Sequence, residues 1–212
     1  MSQQRIFITG IGTGVGKSLI SAIVTEALQA DYWKPIQAGL DEGTDAGTVK
    51  NLISNEVTQI HPEAYRLKMP ASPHIAAAAE NITIDINKIQ QSIPKSNNPY
   101  LIIEGAGGLM VPINQQQFIA DIITTLQTPV ILVSRNYLGS INHSLLTAKV
   151  CKDLNIKVIG WIFNDHYLQY EQEIVNWSGI PYIGNIPFTE NPNHWFVQKQ
   201  AAKIKARLLE LL

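Results

Sequence analysis

The chain has little of what stabilises small secreted folds. Its 212 residues include one cysteine, Cys151. A single thiol can form no intrachain disulfide and cannot build a cysteine-based zinc site. Within "TAKVCKDL" it reads as half-buried helix filler rather than a nucleophile. Charge imbalance is equally scarce: 16 Lys and Arg stand against 17 Asp and Glu, a net charge of −1. Nothing in that balance suggests an electrostatic grip on nucleic acid or on an anionic membrane surface. No run approaches the roughly 18 apolar residues of a membrane-spanning helix. Arg5 and a short strand stand where a secretory leader needs its apolar stretch, so a cytoplasmic protein is expected. No internal repeat, low-complexity tract or linker divides the chain. With 45% hydrophobic residues, 1–212 reads as one sizeable domain.

What is present is an alternation of short apolar runs and helix-like segments. "RIFITG" has strand composition, and "GKSLISAIVTEALQ" repeats apolar residues at helical spacing. "DYWKPI" reads as a short strand ended by Pro35. "TDAGTVKNLIS" opens a helix that Thr44 or Asp45 could cap. "SPHIAAAAE", "IDINKIQQSI" and "AAKIKARLLELL" read as helices; "PYLIIEGAGG", "TPVILVS", "KVIGWIFND" and "IPYIGNIPF" contain strands. Continuous apolar strands separated by helices predict an α/β fold, a mostly parallel central sheet with helices on both faces. Ligands in such sheets sit beyond the carboxyl ends of the strands. Glycine and polar residues gather at those ends: "TGIGTGVGKS", "KPIQAG", "EGAGG", "SRNYLGS", "ND".

The first of these loops carries the sharpest signal. G-x-G-x-x-G fails in both frames, because Val15 and Lys17 stand where its last glycine is required. A lysine there suits a triphosphate loop instead. Gly10, Gly12, Gly14 and Gly16 permit backbone N–H groups to turn inward, Lys17 can reach outer phosphates, and Ser18 can ligate Mg²⁺. Gly16-Lys17-Ser18 also opens a helix, whose N-terminus favours an anion. The spacing differs from G-x-x-x-x-G-K-[ST], since position 11 is Ile. This predicts a P-loop NTPase-like fold with a modified loop. The modified branch of cell-division and partition ATPases carries a signature lysine five residues before the loop lysine; here that position is Gly12.

"TGIGTGVGKS", "KPIQAG", "SPHIAA", "LIIEGAGGLMVP", "TPVILVSRNYLGSINHSLLTA", "GWIFND" and "IPFTENP" occur in that order. Together they resemble the dethiobiotin synthetase family, from about Arg5 to Asn193. The resemblance implies ATP-dependent closure of the cyclic urea of dethiobiotin from 7,8-diaminononanoate and CO₂, through a carbamate and a carbamic–phosphoric anhydride. It implies ATP as co-substrate, Mg²⁺, and a homodimer that shares the substrate site. Lys17 and Lys34 would be the catalytic cations, and Ser18, Asp45 and Glu104 the magnesium residues. Thr13, Gly14, Val15 and Gly16 would line the triphosphate, with Glu104, Gly105, Ala106 and Gly107 beside it. Asn164 and Asp165, with Pro187, Phe188 and Thr189, would take the adenine. Ala38 would lie by the substrate amines, and Gly139, Ser140, Ile141 and Asn142 of a second subunit would hold the tail carboxylate.

Each role has a plainer alternative. Lys34 could be a solvated loop lysine, Asp45 a helix cap, and Glu104 a clamp on glycine-loop N–H groups. Gly139–Asn142 could be an ordinary helix start, and His143 reads as a packed or capping histidine. The sequence also departs from the family pattern. Gly12 stands where an aspartate is usual, Ala38 where Ser or Thr is common, and Asn193 where some members have an acidic ribose contact. The rival readings are a dimerising switch or partition ATPase and a cobyrinic-acid-type amidoligase. The latter adds a glutaminase domain with a catalytic cysteine, for which Cys151 lacks the surroundings.

Overall fold

The computed structural model describes residues 3–41, 43–165 and 167–212. In chain order the elements are β1 (Gln4–Gly10), α1 (Lys17–Leu28), β2 (Asp31–Trp33), β3 (Ile36–Ala38), α2 (Asp45–Leu52), β4 (Ile60–His61), β5 (Tyr65–Leu67), α3 (Pro73–Ala79), α4 (Ile86–Gln91), β6 (Tyr100–Gly108), α5 (Ile119–Leu126), β7 (Val130–Arg135), α6 (Ser140–Asp153), β8 (Val158–Asn164), α7 (Glu171–Ser178), β9 (Tyr182–Ile186) and α8 (His194–Leu211). A seven-stranded sheet runs β4-β2-β6-β1-β7-β8-β9, and its pairings are parallel.

Alternation along β1 explains the two layers. Ile6 and Ile8 pack into one apolar cluster and Phe7 into the other, all three 0% exposed. A fully buried side chain of this size contributes about 1.5–3 kcal/mol, so β1 anchors both halves of the core. The Ile6 cluster is completed by residues of α1, α2 and α8. The Phe7 cluster is completed by residues of α3, α4, α5, α6 and α7. The expected two-faced parallel sheet is what forms.

Two boundaries differ from the sequence reading. "DYWKPI" is not one strand: β2 leaves the main sheet at Lys34-Pro35, and β3 pairs with β5 in a separate two-stranded sheet. Proline cannot donate to a ladder and restricts the residue before it. The break strands Lys34 at the carboxyl end of the main sheet. The last helix begins earlier than its most periodic segment, because Asn193 caps it: Asn193 Oδ1 accepts from Phe196 N at 3.0 Å. That engages the side chain of Asn193 within the helix start.

Candidate functional site

The β1–α1 loop wraps the carboxyl end of the central strand. Gly16 sits in the left-handed region at φ 89°, and an added Cβ there would collide with Asn164 Nδ2. The same amide donates to Val15 O at 3.1 Å, tying β8 to the loop. Gly16 is therefore demanded twice, by torsion and by close approach. Gly12 is different: nothing among the described residues lies within 4 Å of where its Cβ would be. Its carbonyl accepts from Lys17 Nζ at 2.9 Å.

A cavity of about 680 Å³ opens beside this loop. Thr13, Gly14, Gly16, Lys17 and Ser18 form one wall. Lys34 follows β2, Ala38 ends β3 and Asp45 opens α2, while Glu104, Ala106 and Gly107 come from the second half of β6. The parallel sheet thus gathers eleven of the expected site residues in one place. Pro70, Ala71, Ser72 and Pro73, running into "SPHIAA", close the far side.

At the floor lies an ionic cluster. Lys34, 5% exposed, pairs its ammonium with Asp45 and lies 3.2 Å from Glu104 Oε1. It is no solvated loop lysine. Burial alone would depress its pKa, but the Glu104 and Asp45 charges outweigh that and hold it above the usual lysine range. Burial pulls Asp45 the other way; the adjacent Lys34 prevails and keeps that carboxyl below its ordinary value. Lys17 lacks such compensation. Desolvation dominates there and lowers it to about 8, despite the pull of Glu104.

Asp45 is not the helix cap. Thr44 Oγ1 accepts from Gly47 N at 3.0 Å and does that work, so the Asp45 carboxylate is free to turn inward. Gln37 fixes its backbone, accepting from Asp45 N at 3.1 Å. Nor does Glu104 clamp glycine-loop N–H groups. Its partners are side chains: Ser18 Oγ at 3.0 Å, Lys34 Nζ, and Tyr32 Oη at 2.9 Å. Burial and then the Glu104 charge push the Tyr32 phenol well above the usual tyrosine range, so it remains an O–H donor. Sequence reading missed Tyr32 and Gln37. Gln37 lay inside the quoted "KPIQAG", whereas Tyr32 carries no motif signal.

Ser18 Oγ touches Asp45 Oδ1 as well as Glu104 Oε1. One hydroxyl proton cannot serve both acceptors fully. Three hard oxygens converging in this way fit Mg²⁺, which takes few carboxylates and keeps several waters.

Other expected residues lie elsewhere. Val15 and Asp165 line a second cavity of about 790 Å³ beyond Thr13 and Gly14, with Arg135 and Tyr137. Gly105 faces the core, where an added Cβ would lie 2.8 Å from Phe7. Pro187, Phe188 and Thr189 follow β9, with Phe188 58% exposed. Gly139–Asn142 do not line the 680 Å³ cavity within one chain. Ser140 is buried and its Oγ meets Tyr170 Oη at 2.6 Å, whereas Gly139 and Asn142 are exposed. His143 is exposed and packs against Tyr137, ring centroids 5.8 Å apart, with Nδ1 2.6 Å from Tyr137 Oη. Cys151 is buried outright at 1% exposure, and burial pushes its thiol up to about 12. No helix among the described residues is long and apolar enough to cross a membrane.

A glycine loop running into a Lys-Ser helix start, on a parallel sheet with an acid on the neighbouring strand, defines a P-loop NTPase fold. Solved structures agree at the level of fold. A plasmid partition protein from Borrelia burgdorferi superposes with a TM-score of 0.61 at 12% identity, covering 100% of both chains. The MinC:MinD cell division complex of Aquifex aeolicus gives 0.60 at 17% identity, covering 98% of this chain and 96% of that one. A family model described as an AAA domain matches residues 4–193. Among curated relatives, the ATP-dependent dethiobiotin synthetase BioD of Cytophaga hutchinsonii is 51% identical over 81% of this chain and 82% of its own length. That of Christiangramia forsetii is 46% identical over 97% and 98%. That of Agrobacterium fabrum is 42% identical over 86% and 85%. The chain belongs to the ATP-dependent dethiobiotin synthetase family, and is thereby an ATP-using ligase.

Proposed function

We propose that this enzyme of biotin biosynthesis makes dethiobiotin from 7,8-diaminononanoate, CO₂ and ATP. One amine adds to CO₂ and loses a proton, giving a carbamate. A carbamate oxygen attacks the γ-phosphorus as ADP leaves. The second amine then attacks the carbamoyl carbon, phosphate departs, and a five-membered cyclic urea closes. The observation that carries this reading is the cluster of Lys17, Lys34, Ser18, Asp45 and Glu104 around one cavity. Carbamate and triphosphate are both anionic, and bringing them together requires strong, fixed neutralisation. Lys17 swings from Gly12 O to the outer phosphates, and Lys34 lies between carbamate and γ-phosphate. Loop N–H groups from Thr13 to Gly16 hold the phosphates. Ser18, Asp45 and Glu104 would hold Mg²⁺, which when bound offsets phosphate charge.

Gly105, Ala106 and Gly107 let backbone pass beside the reacting groups, and Ala38 flanks the diamine without a hydrogen bond to it. Asn164 and Asp165, with Pro187, Phe188 and Thr189, take the adenine. Asn164 Nδ2 is committed to Val15 O, so its Oδ1 is the atom for the base amino group. Gly139, Ser140, Ile141 and Asn142 receive the tail carboxylate at a helix N-terminus. They do not line the cavity that holds Lys34 and Ser18, and in this reading they serve the site of a second subunit, in a cytoplasmic homodimer. A switch or partition ATPase shares the fold, but Gly12 stands where that branch has its signature lysine.

Phosphate release is the test. It should require ATP, the diamine and bicarbonate together. Comparable release without the diamine would overturn the reading, and stimulation by DNA or a partner protein would favour the switch.

A further inference from the structure

The two oxygens of Glu104 are held differently. Oε1 faces Ser18 Oγ at 3.0 Å and Lys34 Nζ at 3.2 Å, on the cavity side. Oε2 turns back and accepts from Tyr32 Oη at 2.9 Å. Tyr32 lies on β2, paired in register with Ile102 of β6. Side chains two apart share a sheet face, so Tyr32, Ile102 and Glu104 all face α1, which supplies Ser18. Tyr32 is 0% exposed and Glu104 1%, so bulk water is no substitute donor for Oε2. Glutamate has three side-chain torsions, and anchoring both oxygens fixes the plane of the carboxylate. A phenylalanine would fill the same apolar volume, so the hydroxyl needs its own explanation. Its partner supplies one.

We propose that Tyr32 is a positioning residue for Glu104, locking Oε2 so that Oε1 is presented to Ser18 and the cavity. This rests on the reading of Glu104 as a residue that holds the divalent cation. Groups that orient a metal-holding side chain typically change metal affinity by about 10–100-fold when lost.

The test is Tyr32→Phe, with Mn²⁺ titrated into the protein–ADP complex and free Mn²⁺ followed by electron paramagnetic resonance. ADP binding in EDTA is measured alongside. The Mn²⁺ Kd should rise about tenfold, while ADP affinity in EDTA stays within about twofold. In a Glu104→Gln background, Tyr32→Phe should change the Mn²⁺ Kd little. An unchanged Mn²⁺ Kd in the single variant would overturn the proposal, as would an equal loss in both backgrounds or an equal loss of metal-free ADP binding. A variant that does not fold would show the hydroxyl to be structural and sink it too. Glu104→Gln alone separates the two readings. If it leaves Mn²⁺ binding intact, the metal role of Glu104 fails. If it weakens Mn²⁺ while Tyr32→Phe does not, only the role of Tyr32 fails.

Discussion

Lys34→Ala removes the cation that separates two acids. The Lys34 ammonium is buried, lies 3.2 Å from Glu104 Oε1 and pairs with Asp45. Breaking a buried pair by deleting one partner costs about 3–5 kcal/mol, because the survivor stays buried and unpaired. Asp45 has 31% of its side chain exposed, so solvent relieves part of that cost and places the loss toward the lower figure. For a domain of this size about 1 kcal/mol shifts Tm by roughly 2–4 °C. The variant should therefore melt roughly 6–12 °C below wild type in EDTA. Millimolar Mg²⁺ should recover more of that deficit than it adds to wild type, since a divalent cation favours the vacated space between the carboxylates. In the reaction, losing one charged contact to a transferring phosphoryl group costs about 10²–10³ in turnover, with ADP affinity changed only a few-fold. Scanning fluorimetry with and without Mg²⁺, and diamine-dependent phosphate release, measure both effects. A Tm shift below about 2 °C in EDTA would falsify the neutralising role. Turnover within a few-fold of wild type would refute the catalytic one.

Lys17→Met tests the opposite electrostatic case. The folded chain binds the Lys17 proton less tightly than the unfolded chain, about 8 against 10.5, so the ammonium destabilises below pH 8. That burden lifts as pH rises from about 8 towards 10.5. The variant should be more stable than wild type by on the order of 3 kcal/mol at neutral pH, with a gap that narrows in urea melts near pH 10, and it should lose ADP binding. Gly16→Ala meets both a φ of 89° and the Asn164 amide; a strained position of this kind costs about 1–3 kcal/mol. Circular dichroism should stay native-like while ADP affinity collapses, and retained affinity would contradict the account of the loop. Thr44→Ala removes the α2 cap at a cost of about 1 kcal/mol, seen as a Tm drop of a few degrees. Cys151, 1% exposed with its thiol near 12, should resist a thiol reagent until guanidinium unfolds the chain.

Where chemistry and local backbone coincide, the sequence was legible. The apolar runs that form β1, β6, β7 and β8 announce buried parallel strands because both faces must be hydrophobic. Gly16-Lys17-Ser18 announces a helix start, and α1 begins at Lys17 with Gly16 as its cap. Asp45 was ambiguous for a physical reason: Thr44 and Asp45 are both competent caps, and only the folded chain shows Thr44 taking the N–H of Gly47. The split of "DYWKPI" was half visible. Pro35 predicted an end but not a second strand, because β3 exists only through its pairing with β5, nearly thirty residues on.

Tyr32 and Gln37 show what a motif cannot carry. A motif lists the residues proposed to meet a ligand, whereas these two touch Glu104 and Asp45 from behind. Their positions follow from register: Tyr32 lies opposite Ile102, and that pairing alone brings a phenol to Glu104 across 72 residues of chain. Gly12 makes the complementary point. Open space surrounds its missing Cβ, so an aspartate would fit there, and its glycine is no steric demand of the loop. Gly16 cannot change without disturbing Asn164, whereas Gly12 can. Two glycines four residues apart thus carry different information, and the difference lies in what stands next to each in space.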